Sequence, residues 1–480
     1  MSLVLYNDLT KEKEKFVPVR EGHVAFYSCG PTVYDYFHIG NARPFIVFDV
    51  LRRYLEHVGY EVTFVQNFTD IDDKMINRAN AEGITVAALA DRFIEEYRRD
   101  ADALGIRPPT ITPRATEHME EIVSIIGKIM EKGHAYEVCT PSGGSDVYFD
   151  VRSWPSYGKL SGQSLDELES GARVEVGEIK RDPLDFALWK AEKPGEPSWE
   201  SPWGKGRPGW HIECSVMSTK YLGSTIDIHS GGVDLTFPHH ENEIAQTEAA
   251  TGEPFVRFWL HNGFLLIDRE KMSKSLGNFM TARAAREKYP PLAIRLFMLS
   301  AHYRSPINFA PEGLEQAAGG VTRLRNSWAD LKYARASRGE SAFADISLFK
   351  EELGKLDRAF FEAMDDDFNT AAAVGSLFEI VRLINTWLRD HPALPAEFFD
   401  AAEGELRKLD GILGVIGIDE AKDADAEEIE RLVEERAAAR KSKDFKRSDE
   451  IRDALLDRGI VLEDTPTGTK WKRKLGQDAG

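Results

Sequence analysis

The chain has 480 residues, 42% of them hydrophobic, and a formal net charge of −19, which excludes an intrinsically disordered chain and a general coat protein for nucleic acid. Its three cysteines are too few for a disulfide framework, its first twenty residues lack the apolar core of a secretory signal, and no stretch approaches about 18 uncharged apolar residues. We therefore expect a cytoplasmic protein of roughly three domains without a membrane span.

A βαβ unit is predicted near the start of the chain. HVAFYSC (23–29) and YEVTFVQNF (60–68) are rich in apolar and aromatic residues, which is typical of strands. The segment between them repeats apolar residues at steps of three and four, which predicts a helix with Asn41 as its N-cap and Gly59 at its end. The two strands would be parallel, so a ligand is expected beyond their carboxyl ends, where Cys29 and HIGN (38–41) lie.

The character of the chain then changes several times. Residues 75–135 are predicted to be helical, whereas 139–205 are rich in Gly, Pro, Ser and Trp and indicate an irregular insertion. A strand (TIDIHSGG), a helix (HHENEIAQTEAATG), a β segment (VRFWLHNGFLLID) and a mostly helical region follow. The predicted fold class is α/β: a Rossmann-type parallel-sheet catalytic domain with an inserted subdomain, followed by a helical bundle and a small mixed α/β C-terminal domain.

Two loops have features of phosphate-binding sites. HIGN opens a predicted helix, where unpaired backbone N–H groups and the helix dipole favour an anion, and His38 can donate to it. The loop DREKMSKSLGN (268–278) places Lys271 and Lys274 among small residues, which suits a phosphate that moves during a reaction. Simpler explanations stay open for both, namely a capped helix with a surface histidine and a solvated turn.

Four dispersed residues could form a metal site. His239 and Glu243 are four apart on a predicted helix and share a face. Cys29 lies at a strand end, and Cys214 lies upstream of that helix. Two sulfurs, a nitrogen and an oxygen would suit tetrahedral zinc, although the spacing matches no zinc finger. Buried structural cysteines and a surface His–Glu pair are the open alternatives.

The C-terminal region is locally basic. From Arg436 to Arg452 there are seven basic and three acidic residues, and the final segment places Trp471 among lysines and Arg473. Such a patch on an acidic body would restrict polyanion binding to one face.

The two loops and several longer stretches carry a family resemblance. HIGN followed by KMSKS (271–275) resembles the two signatures of class I aminoacyl-tRNA synthetases. YSCGPTVYDYFHIGNARP, NFTDIDDK, GRPGWHIECSVM, DIHSGGVDLTFPHHENEIAQ, DREKMSKSLGN and EDTPTGTKWKR resemble the cysteinyl-tRNA synthetase family, and the likeness covers essentially the whole chain. Asn41 departs from the generic class signature, in which many members have a second histidine.

The resemblance implies ATP-dependent activation of L-cysteine and its transfer to the 3′ end of the cysteine tRNA. It implies one Zn²⁺ per chain that selects the substrate thiol, and Mg²⁺ with ATP. The residues that it implies are Cys29, Cys214, His239 and Glu243 for zinc, His38, Asn41, Lys271, Lys274, Gly231, Gly232 and Asp234 for ATP, Trp210 and Cys29 for the amino-acid pocket, and Trp471 and Arg473 for tRNA.

The same resemblance leads to an expected division of the chain. The expected segments are 1–115 and 206–270 for the two halves of the catalytic fold, 116–205 for the inserted connective subdomain, 271–320 for the KMSKS loop and stem-contact region, 321–418 for the helical bundle, and 425–480 for the anticodon-binding domain. No coiled-coil seam is evident, so a monomer is expected.

Two other functions fit part of the sequence. One is a related ligase that joins cysteine to an amino-sugar, which would lack the C-terminal region. The other is a non-catalytic, synthetase-like RNA-binding protein, which the intact HIGN, KMSKS and ligand residues disfavour.

Overall fold

The computed structural model describes residues 3–141, 143–164, 180–267, 269–271, 279–337, 345–418, 426–465 and 468–473. The chain divides into two compact units. We call residues 2–283 with 303–308 the sheet unit, and residues 284–302 with 309–480 the helical unit.

The described strands and helices are numbered along the chain. The strands are β1 Val4–Asn7, β2 Glu12–Lys15, β3 His23–Ser28, β4 Glu61–Gln66, β5 Ala135–Cys139, β6 Ser145–Phe149, β7 Phe186–Ala191, β8 Gly206–Pro208, β9 Ile226–Gly232, β10 Val256–Asn262, β11 Leu265–Ile267, β12 Glu270–Lys271, β13 Ile307–Asn308, β14 Ile460–Thr465 and β15 Gly468–Arg473. The helices are α1 Ile39–His57, α2 Asp73–Glu82, α3 Val86–Ala103, α4 Met119–Glu131, α5 Trp210–Leu222, α6 Glu241–Thr251, α7 Ala282–Lys288, α8 Pro291–Leu299, α9 Pro311–Ser337, α10 Ser347–Asp365, α11 Thr370–Asp390, α12 Ala396–Leu413, α13 Ala426–Lys441 and α14 Phe445–Asp457.

A parallel four-stranded sheet organises the sheet unit, with strand order β10-β9-β3-β4. Its strands are apolar and largely buried, as expected when helices cover both faces of a parallel sheet. The predicted βαβ unit is β3-α1-β4, so the predicted α/β class is confirmed. Because the strands are parallel, all four carboxyl ends meet at one edge of the sheet.

The start of α1 differs from the prediction. The helix begins at Ile39, and His38 is the N-cap: its Nδ1 accepts from the Asn41 N–H at 3.3 Å. The prediction that Asn41 caps the helix was wrong. The helix begins two residues before Asn41, and the imidazole nitrogen of His38 accepts the backbone hydrogen bond that a capping side-chain oxygen usually accepts. Gly59 follows the helix at φ +101°, as its small size predicted.

The insertion is more regular than expected. β5, β6, β7 and β8 form an antiparallel sheet within residues 135–208, packed on α4 and α5 around buried aromatic and aliphatic side chains. The prediction of irregular structure missed this sheet because its strands are short and separated by Gly and Pro turns. Residues 142 and 165–179 lie outside the described part of the chain.

The helical unit holds α8 to α14 and the hairpin β14-β15. The two predicted C-terminal helices are present as α13 and α14, and they enclose a small core with the hairpin. Within the described residues, α11 is long and apolar enough to cross a membrane by length and composition alone. Its apolar side chains, such as Leu377 and Ile384, are buried within this unit, as in the core helix of a helical bundle.

Candidate active site

Four residues that are far apart in the sequence meet at the carboxyl edge of the parallel sheet. The ligand atoms of Cys29, Cys214, His239 and Glu243 all lie within 4.8 Å of one another. His239 Nε2 is 3.0 Å from Glu243 Oε1, and Cys29 Sγ is 3.8 Å from the same oxygen. The four side chains are at most 9% exposed, so this is an interior cluster.

A tight contact holds the Cys29 end of the cluster. Cys29 follows β3, and its N–H donates to the carbonyl of Ser230 on β9 at 3.1 Å. The next N–H, from Gly30, donates to Asn67 Oδ1 at 2.9 Å. A Cβ on Gly30 would lie 1.7 Å from the Asn67 carbonyl oxygen, so only glycine fits between the two segments.

The helix α5 brings Cys214 to the cluster. It starts immediately after Gly209, where a Cβ would lie 1.9 Å from the Ala187 carbonyl oxygen of β7. Arg207, which is buried just before the helix, forms ion pairs with Asp73 and, at 3.1 Å, with Glu196. These contacts fix where α5 begins, and therefore where Cys214 lies one turn later.

His239 and Glu243 belong to neighbouring elements. His239 lies in a short turn, Thr236–His240, and Glu243 lies in the first turn of α6. The predicted helix thus begins later than expected, at Glu241, but the four-residue spacing still brings the two side chains into contact.

The protonation states of the four side chains depend on their burial and on their contacts with one another. A hydrogen bond from Cys29 lowers the pKa of Cys214 to about 6, while burial and the neighbouring Cys214 raise the pKa of Cys29. Burial by itself would raise the pKa of Glu243, but its contacts with His229 and His239 lower that pKa to about 2. Burial by itself would lower the pKa of His239, but Glu243 and Cys214 raise that pKa to about 10. The metal-free cluster therefore retains protons on Cys29 and His239.

The donor set fits a zinc ion. Zinc in proteins is bound by Cys, His and carboxylate donors at about 2.0–2.3 Å in a tetrahedron, which places donor atoms roughly 3–4 Å apart. The measured separations of 3.0 and 3.8 Å fall in that range. A metal would take the place of the protons on Cys29 and His239, as metal binding to thiols and imidazoles requires.

Further histidines surround the cluster. His229 Nε2 lies 2.8 Å from Glu243 Oε2, and His240 Nε2 lies 3.3 Å from Cys29 Sγ. These two also form a second compact donor group with Cys29 and Glu243. Neither histidine was among the predicted site residues, although His229 lies in DIHSGG and His240 is the second histidine of HHENE, next to the predicted ligand His239. The two-sulfur group suits zinc better than the group with one sulfur.

Trp210 and His211 border the cluster on its outer side. The Trp210 ring is 41% exposed and lies 4.3 Å, between ring centroids, from the ring of His239. His211 Nδ1 is 2.9 Å from His239 Nδ1. Burial, followed by the nearby His239, lowers the pKa of His211, so His211 is neutral. Trp210 is thus a partly accessible wall above a buried ligand.

The HIGN segment lies beside the chain that leaves the KMSKS loop. The Ile39 N–H donates to the Met280 carbonyl and the Ala282 N–H donates to the Phe37 carbonyl, both at 2.9 Å. Lys271 lies at the other end of that loop, in β12, which pairs with β11. Lys274 and the side chain of Lys271 lie outside the described part of the chain.

Arg43 connects α1 to the strand that precedes the KMSKS loop. Its guanidinium is fully buried and donates to the carbonyls of Gly263 at 2.7 Å, Phe264 at 3.0 Å and Ser305 at 2.6 Å. Arg43 was not among the predicted site residues, because an arginine on a predicted helix is usually exposed to solvent.

The three other residues predicted for ATP lie at the end of β9. Gly231 and Gly232 pair in register with His261 and Asn262 of β10, and Asp234 follows in an exposed turn. The structure places these residues at the same sheet edge as Cys29.

The NFTDIDDK motif forms hydrogen bonds and an ion pair with the segments that carry two of the ligands. Asn67 accepts from Gly30, and Asp70 accepts from the N–H and the hydroxyl of Thr116. Asp72 caps α2, and Asp73 pairs with Arg207. The motif therefore anchors both the Cys29 loop and the segment that leads to α5.

The C-terminal residues have mixed environments. Trp471 packs against the small core of α13, α14 and β14, and Arg473 is the last described residue, with its side chain outside the description. Four of the seven arginines and lysines between 436 and 452 are held in ion pairs: Arg436, Arg440, Arg447 and Arg452. The local positive charge is therefore smaller than residue counting indicated.

The turn between α13 and α14 is the exception. Lys441, Lys443 and Lys446 are exposed and form no ion pair with any residue that the structure describes. Phe445 lies among them and is 62% exposed, more than any other large hydrophobic side chain in the described residues.

Family models match almost the whole chain. The model described as the class I (C) tRNA synthetase catalytic domain matches residues 15–319, the DALR domain matches 359–417, and the cysteinyl-tRNA ligase anticodon binding domain matches 423–471.

Similar proteins include cysteine–tRNA ligases of three bacteria. Those of Heliobacterium modesticaldum, Caldicellulosiruptor saccharolyticus and Clostridioides difficile are 54%, 55% and 52% identical, over 98% of this chain and 100%, 99% and 99% of theirs.

Solved structures share the fold at low identity. Mycobacterium tuberculosis methionyl-tRNA synthetase with methionyl-adenylate matches with a TM-score of 0.59 and 17% identity, over 82% of this chain and 89% of that chain. An Agrobacterium radiobacter leucyl-tRNA synthetase in a ternary complex with tRNA matches with a TM-score of 0.61 and 13% identity, over 84% of this chain and 85% of that chain.

Proposed function

Because this chain belongs to the cysteinyl-tRNA synthetase family, we propose that it is a cysteine–tRNA ligase that works in two steps. The carboxylate of L-cysteine first attacks the α-phosphate of ATP, which forms cysteinyl-adenylate and releases pyrophosphate. A ribose hydroxyl at the 3′ end of the tRNA then attacks the acyl carbon, and AMP leaves. No protein nucleophile is needed, so the residues act by positioning and by neutralising phosphate charge.

The observation that carries this proposal is the meeting of Cys29, Cys214, His239 and Glu243 at the sheet edge where a class I fold places its ligands. We assign these residues to one zinc ion. When bound, zinc would supply a preference for sulfur over a neutral hydroxyl oxygen. Trp210, partly exposed above His239, would border the space for the substrate side chain.

The zinc site would distinguish the substrate cysteine from serine. The two amino acids differ by one atom, and shape alone supplies about 1–3 kcal/mol of discrimination. Protein synthesis needs roughly 10⁴–10⁵-fold discrimination, which corresponds to about 6–7 kcal/mol. A buried donor set with two sulfurs is well suited to provide the rest without a separate editing domain.

The test is ATP–pyrophosphate exchange with each amino acid on zinc-loaded protein, together with its metal content. We expect exchange with cysteine to exceed that with serine by about 10⁴-fold or more. Comparable rates would refute thiol selection by this site, and a protein without bound zinc would refute the site itself.

We assign ATP to the neighbouring part of the same edge, with Mg²⁺ bound to its phosphates. His38 and Asn41 would line the phosphates at the start of α1, and Gly231, Gly232 and Asp234 would hold the adenosine. Lys274, assisted by Lys271, would grip the triphosphate and the departing pyrophosphate. The backbone pairing of residues 37–39 with 280–282 supports this assignment, because it connects the HIGN and KMSKS segments directly.

We assign tRNA binding to the C-terminal segment 425–480. Its best candidate surface is the α13–α14 turn, where exposed Phe445 offers a stacking platform and three exposed lysines offer charge for phosphates. Trp471 is a weaker candidate than its sequence context indicated, since it packs against the local core, and Arg473 remains a prediction.

Adding tRNA to the exchange assay separates the alternatives. A ligase that joins cysteine to an amino-sugar would activate cysteine but would not charge tRNA, and a non-catalytic RNA-binding protein would do neither. We expect formation of cysteinyl-tRNA by a monomer in the cytoplasm, and size-exclusion chromatography with light scattering checks the oligomeric state.

A further inference from the structure

The segment that follows the KMSKS loop is attached to helix α3 by an arginine. Arg283 comes immediately after the backbone pairing of residues 37–39 with 280–282. Its Nε donates to Asp100 Oδ1 at 3.0 Å, and its Nη2 lies 2.5 Å from Glu96 Oε2. Asp100 is fully buried, and a buried carboxylate is costly unless it is paired, so Arg283 is a required partner at this end of α3.

The same guanidinium contacts the other segment of that pairing. Its central carbon lies over the Tyr36 ring, 4.5 Å from the ring centroid, and the Tyr36 ring packs edge-on against Phe93 of α3 at 5.5 Å. A planar guanidinium can pair with carboxylates and stack on an aromatic ring at the same time. Arg283 therefore contacts α3 and the residue two positions before His38 together.

His38 lies at the centre of the pairing that Arg283 supports. It is the N-cap of α1 and forms an antiparallel bridge with Thr281, two residues before Arg283. Its ring also lies 5.7 Å, between centroids, from the ring of Phe279. Arg283 belongs to one segment of the pairing and stacks on Tyr36 of the other, so a movement of either segment would move His38 and the start of α1.

We propose that Arg283 is a positioning residue for the ATP-dependent step: it holds residues 36–39 and 279–283 together against α3, and so sets where the first turn of α1 meets the phosphates of ATP. This inference rests on the proposed function, because it takes the start of α1 as the phosphate site. An anion at a helix N-terminus is bound by the first N–H groups and the helix dipole, so the direction of the first turn determines where the phosphate lies. Arg283 acts through His38 and is not itself a catalytic residue.

The candidate cysteine pocket depends on other contacts. Among the residues that the structure describes, Arg283 contacts Tyr36, Glu96 and Asp100 and none of the four candidate metal ligands. Loss of its guanidinium should therefore affect the use of ATP and spare the binding of cysteine. A general loss of structure would affect both substrates.

The experiment replaces Arg283 with methionine, which keeps much of the side-chain length and removes the guanidinium. KM and kcat are measured separately for ATP and for cysteine in ATP–pyrophosphate exchange, and thermal unfolding and bound zinc are recorded for each variant. Arg99→Met is the matched control: Arg99 also pairs with Glu96, at 3.3 Å, but its side chain is 61% exposed on α3.

We expect Arg283→Met to lower kcat/KM for ATP about 10- to 100-fold, because a displacement of about 1 Å at a reacting centre costs on the order of 100-fold in rate. KM for cysteine and the zinc content should match those of the wild type. Arg99→Met should leave all of these values unchanged. Arg283→Lys keeps the charge but cannot stack on Tyr36 as a planar group, so its kcat/KM for ATP should be intermediate.

The outcomes separate this inference from the proposed function. An unchanged kcat/KM for ATP in Arg283→Met would overturn the role of Arg283, as would equal losses with ATP and cysteine together with a lower unfolding temperature. If the methionine variant does not fold, Arg283→Lys provides the comparison: a lower kcat/KM for ATP with an unchanged KM for cysteine supports the proposal, and wild-type values for both refute it. Wild-type protein without cysteine-dependent exchange would overturn the proposed function, and this inference with it.

A second measurement follows the pairing directly. The N–H groups of Ile39 and Ala282 donate across it at 2.9 Å, so their hydrogen–deuterium exchange reports whether the two segments stay together. Peptides that contain these residues should exchange faster in Arg283→Met than in the wild type or in Arg99→Met. Equal exchange in all three proteins would refute the connection between Arg283 and His38.

Discussion

Gly30→Ala tests whether the fold, and not the four ligands alone, builds the metal site. A Cβ at this position would lie 1.7 Å from the Asn67 carbonyl oxygen, and real Cβ atoms essentially never approach other atoms within 3.0 Å. The two backbone segments must therefore separate by about 1.3 Å. Cys29 is the adjacent residue, and metal–ligand distances tolerate only about 0.2 Å of error.

The shift should affect stability and metal binding together. The Gly30 N–H would lose its 2.9 Å hydrogen bond to Asn67 Oδ1 inside the protein, which costs about 1–3 kcal/mol. Displacement of Cys29 should weaken zinc binding by at least about 10-fold. Chemical denaturation measures the first effect, and chelator competition measures the second.

Gly127→Ala is the matched control. Gly127 lies inside α4, and a Cβ there would meet nothing within 4 Å. This substitution should stabilise the protein by about 1 kcal/mol and leave zinc affinity unchanged. Zinc binding by Gly30→Ala as tight as that of the wild type would show that this close contact does not set the position of Cys29.

Four further substitutions probe other parts of the protein. Arg43→Met removes the hydrogen bonds that a fully buried guanidinium donates to the carbonyls of Gly263, Phe264 and Ser305, and should lower the free energy of unfolding by roughly 3 kcal/mol in chemical denaturation; an unchanged value would contradict its connecting role. Lys274→Ala should slow adenylate formation roughly 100-fold in pre-steady-state assays with an unchanged unfolding temperature, and unaltered activation would exclude it from the ATP site. Phe445→Ala should weaken tRNA binding by about 1–3 kcal/mol while sparing ATP–pyrophosphate exchange, and equal tRNA affinity would remove the turn from the interface. Burial raises the pKa of Glu405 to about 7, above its value of about 4.3 in an unfolded chain, so its stabilising contribution is complete below about pH 4 and is lost as the pH rises through 7. Glu405→Gln should therefore flatten the decline of the unfolding temperature between pH 5 and 8, and an identical pH profile would contradict this.

Features that depend on neighbouring residues were predicted well from the sequence. The apolar period of three and four residues predicted α1, and the short apolar runs on either side of it predicted β3 and β4. The two C-terminal helices are also present, over sixteen residues in α13 and thirteen in α14, and Asp444 caps α14.

The errors have local causes as well. Asn41 is a frequent type of helix cap, but His38 occupies that role because the chain turns three residues earlier. The basic count between 436 and 452 overstated the available charge, since Asp464 on β14 pairs with Arg436 and Arg440 from a different element. Neither the turn nor the pairing is visible in the composition of the segment.

The sequence predicted the family and the identity of the four metal ligands. It did not show that these four residues lie close together in the folded protein. Cys29 and Cys214 are brought together by strand pairing, by the close contact at Gly30 and by the Arg207–Asp73 ion pair, all of which join residues far apart in the chain. The histidines around the four ligands, His229 and His240, are brought to the cluster only by those contacts. Periodicity and capping act over a few residues and can be read from the sequence, whereas burial, pKa shifts and donor distances depend on which distant segments pack together, and only the tertiary structure decides that.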